Sequence, residues 1–385
     1  MPNLDTGFGY NIFYLLFVYI FPLEYAAGIG YALITLLGGI LAYIFFKSLK
    51  LNNWIALLSS IIFMISGDMV SYLYPGHLGK PLVLALLPLV WFFINKGFEK
   101  KKRYYFVFAG FFMGFQYFGH PQIFYYSLIL TTLYFIIKTY IEFKENKKIL
   151  IQSIVNYGIM GLFAVLISFN QLFSQYFYAK LTSRGKVINP IERWNFATSW
   201  SMHPIELLTY FVPSLLGLYD STYLGWRPFV QTTDYIGFLT ITIAVIGAVI
   251  FWRKKEIKFV AIFIFFTFLF GMGKHFECFY RLFYNYFPLI KKFRVPSSVY
   301  IITTFCITFL FIYGFNALLK FRENKEVKKK INIILAIFFI IIIALTIFIN
   351  SETYNDILKN NLGQRINLRL YIKSILFRLI IMSII

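Results

Sequence analysis

Apolar runs of 15 to 22 residues recur from Glu24 to the end of this 385-residue chain. Each reaches or approaches the length needed to cross a hydrocarbon core of about 30 Å. A signal peptide or a single anchor would confine such residues to one segment. Inside hydrocarbon, backbone N–H and C=O groups find no water, so only helices and closed barrels span, and continuous rather than alternating runs select helices. The expected fold class is all-α: a polytopic transmembrane helical bundle. The mean hydropathy of +0.70 and a charged content of 14% agree, since soluble domains carry about a quarter charged residues.

Eleven spans are expected, near 25–46, 52–70, 81–95, 104–118, 122–137, 150–170, 236–252, 258–272, 298–319, 331–349 and 367–385. Residues 10–21 are short and aromatic and read as an interfacial helix on the outer surface. The chain thus divides into an outer loop and surface helix over 1–24 and a multi-span membrane domain over 25–385, with one long outer loop at about 171–235.

Lys and Arg set the orientation. The short connections 47–50, 96–103, 138–148, 253–258 and 320–330 hold 21 of the 37 basic residues, and the longer connections between them hold 13. By the positive-inside rule the first set is cytoplasmic, as expected for a protein of the bacterial cytoplasmic membrane. The net charge of +21 therefore reflects topology and anionic membrane lipid, and no separable basic domain points to nucleic acid. The two cysteines, Cys278 and Cys306, form neither a disulfide framework nor a zinc pattern, and no metal set is assigned. No Gly-rich phosphate loop is present.

All four histidines, His77, His120, His203 and His275, fall in the expected outer connections. Three of these connections set a cationic or titratable group before a proline: Lys80–Pro81, His120–Pro121 and His203–Pro204. A fourth puts Arg294 two residues before Pro296. Proline opens helices, and a helix start presents unpaired N–H groups and a positive dipole. Several such starts on one face would suit a phosphate or pyrophosphate near the headgroups. The plainer reading is that proline simply starts helices while His, Lys and Arg anchor in the headgroup layer. Carboxylates near a bilayer face need partners, so among Asp68, Glu192, Glu206, Asp220 and Asp234 the apolar-flanked Asp68 and Glu206 are the better functional candidates. Helix capping or an ion pair is the competing account. The segment 171–235 is rich in Tyr, Trp, Phe, Ser, Thr and Asn, a composition that suits a sugar-binding cavity wall or an interfacial aromatic belt.

PGHLGKP followed by LLPLVW, then GHPQIFYYSL, then ELLTYFVPSLLGLYD with DYIGFLTITIA, then FRVPSSVY resembles the YfhO-like bacterial membrane proteins over most of residues 20–320. That family is similar to the glycosyltransferases of type C. The resemblance implies transfer of a sugar from a polyprenyl-phosphate-linked donor to an envelope polymer or protein acceptor outside the membrane. An outer carboxylate, Asp68 or Glu206, would act as base. His77, Lys80, His120, Gln122, His203 and Arg294 would bind substrate; no cofactor is assigned and a divalent metal stays open. Enzymes of this type carry a catalytic acid in a first outer loop after a first span. That span is missing here, leaving Asp5 as the only acid of that loop, and the family usually runs on past residue 385. Both ends are thus expected to be incomplete. The competing classes are a transporter or flippase of a lipid-linked or anionic substrate, and an inactive truncated homologue.

Overall fold

The computed structural model describes residues 19–145, 149–181, 189–212, 215–217, 223, 225–230, 232–319, 324–349 and 351. Among them the chain is helical throughout, with no strand: α1 Leu23–Ser48, α2 Asn53–Met64, α3 Gly67–Val70, α4 Gly79–Lys100, α5 Tyr104–Gly119, α6 Pro121–Glu145, α7 Ile149–Leu181, α8 Pro190–Ala197, α9 Phe238–Ile250, α10 Lys255–Gly271, α11 Glu277–Tyr286, α12 Tyr300–Leu319 and α13 Lys325–Ile349. Short 3₁₀ segments at Ser71–Leu73, Pro204–Tyr210, Gly273–Phe276, Ile290–Lys292 and Pro296–Val299 fill the connections at the histidine-bearing end.

Each of the ten expected spans between residues 25 and 349 falls on a helix. Six helices are long and apolar enough to cross a membrane, or up to eight if each of two bent pairs is one span. The figure falls below eleven because α5, with 16 residues, and α9, with 13, are only about 24 and 20 Å long at 1.5 Å per residue. The bent pairs are α2 with Gly67–Leu73, at 52°, and α10 with Gly273–Tyr286, at 109°. The eleventh span, the surface helix near 10–21 and Asp5 lie outside the described residues. The connection expected to begin at 171 begins later. α7 runs to Leu181 because the aromatic spacing of its membrane portion continues, with Phe169, Phe173 and Phe177 stacking rung on rung at 5.9 and 4.7 Å.

α12 is the axis of the bundle, buried along almost its whole length, and α9, α10, α2, α4 and α6 pack around it. Gly247 of α9 and Gly314 of α12 set the closest approach: a Cβ on either would meet the other helix's backbone, so these two helices meet main chain to main chain. The centre of the core is aromatic. Trp91 of α4 stacks on Tyr134 of α6 at 3.6 Å and receives the edges of Phe305 and Phe309 of α12. The Tyr134 hydroxyl donates to Asn95 Oδ1 at 2.6 Å, which satisfies its one polar atom inside apolar surroundings. By contrast α7 and α13 leave most of their apolar surface outward, as helices facing lipid do.

Candidate functional site

At the histidine-bearing end the helix starts behave as their prolines suggest. His120 is extended between α5 and α6, Pro121 opens α6, and the His120 Nδ1 accepts from the Ile123 N–H at 3.4 Å. Pro204 and Pro296 likewise open 3₁₀ turns. Pro81 differs: α4 begins at Gly79, so Lys80 and Pro81 lie within the first turn, where a missing N–H is still tolerated. Gly79 and Gly119 touch backbone to backbone, and a Cβ on either would strike the other. That contact brings the His77–Lys80 turn beside His120.

A buried charged cluster lies where α3 meets the loop before α9. The Gly67 N–H donates to Tyr235 O at 3.0 Å, and the Thr233 N–H to Ser71 Oγ at 3.0 Å. These bonds place Asp234 within electrostatic reach of Asp68, which is 1% exposed. Thr304 of α12 donates its hydroxyl to Asp68 Oδ2 at 2.5 Å, while Asp68 Oδ1, also buried, has no hydrogen-bond partner among the described residues. Beside this pair Arg227 donates from Nε to Glu206 Oε1 at 3.1 Å, and its Nη1 lies 3.8 Å from Asp234 Oδ2. Lys80 is within electrostatic reach of both aspartates and rests 4.7 Å over the Tyr72 ring. Burial pushes the Asp234 carboxyl up to about 6, with Arg227 opposing and Glu206 reinforcing the shift. Three carboxylates face two cations here, so one negative charge is left to be met by a proton or by a ligand.

Glu206, fully buried, has both oxygens engaged. Oε2 accepts from the His203 N–H at 2.6 Å in a capping box, and Oε1 holds Arg227. It is therefore placed to orient Arg227, while Asp68 keeps an open oxygen. His203 belongs to a neighbouring group: its ring stacks on Trp226 at 3.8 Å and meets the edge of His275 at 5.0 Å. Burial lowers its pKa, and Glu206 opposes that.

A cationic rim borders the cluster. Arg294 is exposed, lies 5.8 Å over the Trp200 ring and acts electrostatically on both His77 and Lys80. Its position is fixed through the backbone: the Gln122 amide donates to Arg294 O at 2.6 Å, to Val295 O at 3.3 Å and to Tyr126 Oη at 3.0 Å. Val295, a β-branched residue at φ +58°, is held in that strained conformation by its N–H on Ser199 O at 3.1 Å. Gln122 thus acts on the loop that carries Arg294, and its amide nitrogen is already engaged.

Asp68, Glu206, His77, Lys80 and Arg294 are brought to one region, with His120 and Gln122 at its edge and His203 joined through Glu206. Three members were not assigned a role from sequence. Asp234 was visible only as one acid among several. Arg227 sits in an aromatic loop with no pattern around it, and only the hydroxyl-rich stretch Thr303, Thr304 and Thr308 in an otherwise apolar span hinted at Thr304. Among the described residues no three His, Cys, Asp or Glu side chains are grouped to hold a metal ion. No family model, curated protein or solved structure matches the chain.

Proposed function

We propose that the chain is a YfhO-like, glycosyltransferase-C-like membrane enzyme whose histidine-bearing end faces outward from the bacterial cytoplasmic membrane, with its lysine-rich loops in the cytoplasm. There it moves a sugar from a polyprenyl-phosphate-linked donor to an envelope acceptor. The observation that supports this reading is Asp68: a fully buried carboxylate with one oxygen fixed by Thr304 and the other unengaged among the described residues, near the cations Lys80 and Arg294 and the imidazole of His77. In the transfer, Asp68 Oδ1 takes the proton of the acceptor hydroxyl. The acceptor oxygen bonds to the anomeric carbon with inversion, and the bond from that carbon to the phosphate oxygen breaks. The departing lipid phosphate keeps the electron pair and is met by Lys80 and Arg294.

A second reading draws on the 52° break between α2 and Gly67–Leu73, which puts Asp68 at a broken span. Broken helices with an intramembrane carboxylate are what a transporter of a lipid-linked substrate would use. The full chain in proteoliposomes, given a panel of undecaprenyl-phosphate hexoses and short glycan acceptors, separates the two. Sugar transfer with release of undecaprenyl phosphate, reduced about a hundredfold or more in Asp68→Asn, is the expected result. The Asn Oδ1 still accepts from Thr304, so the variant folds. Movement of the donor between leaflets without release of undecaprenyl phosphate would replace the enzyme by the transporter.

A further inference from the structure

Beyond the charged cluster, the segment 273–292 has a construction that the transfer reaction does not use. The chain turns by 109° between α10 and Gly273–Tyr286. With α10, 17 residues long, standing across the apolar layer, a segment at that angle to it runs close to the membrane plane. Gly273 makes the corner at φ +50°, where a Cβ would collide with Ser201 Oγ.

α11 then divides into three strips at helical spacing. Tyr280 and Tyr284 are buried, and Phe279 and Phe283 pack on Phe266 and Phe270 of α10. Glu277, Arg281 and Asn285 form a polar exposed strip on the side away from those phenylalanines. Cys278, Leu282 and Tyr286 form an exposed strip between them, with Leu282 55% and Tyr286 80% exposed, and Phe287 and Leu289 extend it. Directly after it come two exposed lysines, Lys291 and Lys292, neither in an ion pair among the described residues. Arg281 is already paired with Glu277. An apolar strip lying in the plane of the bilayer beside two exposed lysines, Lys291 with its ammonium 5.2 Å over the Tyr284 ring and still open to the surface, matches the acyl boundary and the phosphates of an anionic leaflet.

We propose that residues 274–292 form an interfacial binding surface for anionic phospholipid, with Lys291 and Lys292 on the headgroup phosphates and Cys278, Leu282 and Tyr286 against the upper acyl chains. This surface is independent of the transfer reaction. Its charge explains why a connection on the proposed outer face holds five basic residues within 273–297, against the orientation rule.

Cys278 is exposed and Cys306 buried, so the native chain carries its own reporter. The full chain, labelled at Cys278 with an environment-sensitive fluorophore, is reconstituted in nanodiscs of phosphatidylcholine alone or with an equal part of phosphatidylglycerol. A nitroxide high on the acyl chain should quench the label more strongly than one at the chain end. Phosphatidylglycerol should be enriched around the wild-type chain in lipid-count mass spectra, with the preference falling about fivefold for each of Lys291→Gln and Lys292→Gln. No quenching by either nitroxide would mean that a protein, such as a second copy of the chain, covers the strip. Equal binding of the two lipids by wild type and variants would remove the headgroup assignment. Either result overturns the proposal and leaves the transfer reading untouched.

Discussion

The two ends of the bundle use the same ionic side chains in opposite ways. At the lysine-rich end Glu99 meets Lys50 at 3.0 Å in the open, with the Lys50 side chain 75% exposed, and the half-buried Lys96 at 2.7 Å. Other lysines there lie over aromatic rings, as Lys254 does over Phe251 and Tyr313 and Lys258 over Trp252. At the histidine-bearing end the Glu206 side chain is 0% exposed and Arg227 8%. Exposed pairs of the first kind are worth about 0–1 kcal/mol each. Breaking one partner of a buried pair costs about 3–5 kcal/mol, because it strands a charge in a poor solvent. Sequence counts treat both ends alike, but only burial makes a charge expensive enough to need a function or a partner.

The sharpest way to break this comparison is Arg227→Met. It leaves Glu206 and Asp234 without their shared cation and is expected to destabilise the folded chain by about 3–5 kcal/mol. Lys50→Met at the other end should cost under about 1 kcal/mol. Unfolding of the purified proteins in a graded SDS–detergent series measures both. Equal small losses would mean that water reaches the cluster and that it is a surface network after all.

The ends also differ in how far they could be read in advance. The lysine-rich loops were legible because local clustering, as in KGFEKKKR and KFRENKEVKKK, is itself the signal. So were the helices, since an apolar run is a local property, and so were His120 and Pro121 as a helix junction. The charged cluster was not legible. Asp68 and Thr304 are 236 positions apart, and Glu206 and Arg227 are 21 apart within an irregular loop; no periodicity joins them. The bend at residues 65–67 was equally hidden, because the apolar run continues through it; the expected span 258–272 stops at the second bend, where Lys274 and His275 follow, but no local pattern revealed its angle. Gln122 was singled out for substrate binding from its place beside His120 and Pro121, and what the sequence did not reveal is that its amide nitrogen is given to the Arg294 and Val295 carbonyls.

A second contrast is in pH response. The Asp234 carboxyl, raised from 3.8 to about 6 by burial, binds its proton more tightly folded than unfolded. Its contribution is therefore fully present below pH 4 and is lost as pH climbs through about 6. The groups facing it are Arg227, Glu206, Lys80 and Asp68. The loss from acid to neutral pH is on the order of 3 kcal/mol. Asp234→Asn should flatten the stability profile over that window and raise stability at neutral pH, with Arg227 still held by Glu206. Lys254→Gln at the opposite end, which changes no carboxylate, should leave the slope between pH 4 and 6 unchanged. A wild-type profile that rises through this window would mean that the Arg227 contact, and not burial, governs Asp234.

The smallest expected effect tests the middle ground between the two ends. Lys138 of α6 and Glu256 of α10 lie 3.4 Å apart, with side chains 17% and 26% exposed, so the pair is neither open nor sealed. It bridges two neighbouring helices, which gives it a structural task that a loose surface pair lacks. A double-mutant cycle with Lys138→Met and Glu256→Gln isolates the coupling from the other losses each change causes. Partial exposure keeps water and counterions within reach, so the coupling should be under about 1 kcal/mol. It should fade in 1 M salt, where the screening length is about 3 Å. The corresponding cycle on Glu206 and Arg227 should hold its value in the same salt, since no ion can enter between them. If the Lys138–Glu256 coupling is as large and as salt-resistant as the buried one, then burial is not what separates the two ends, and the charged cluster loses its claim to be energetically distinct from an ordinary helix-to-helix ion pair.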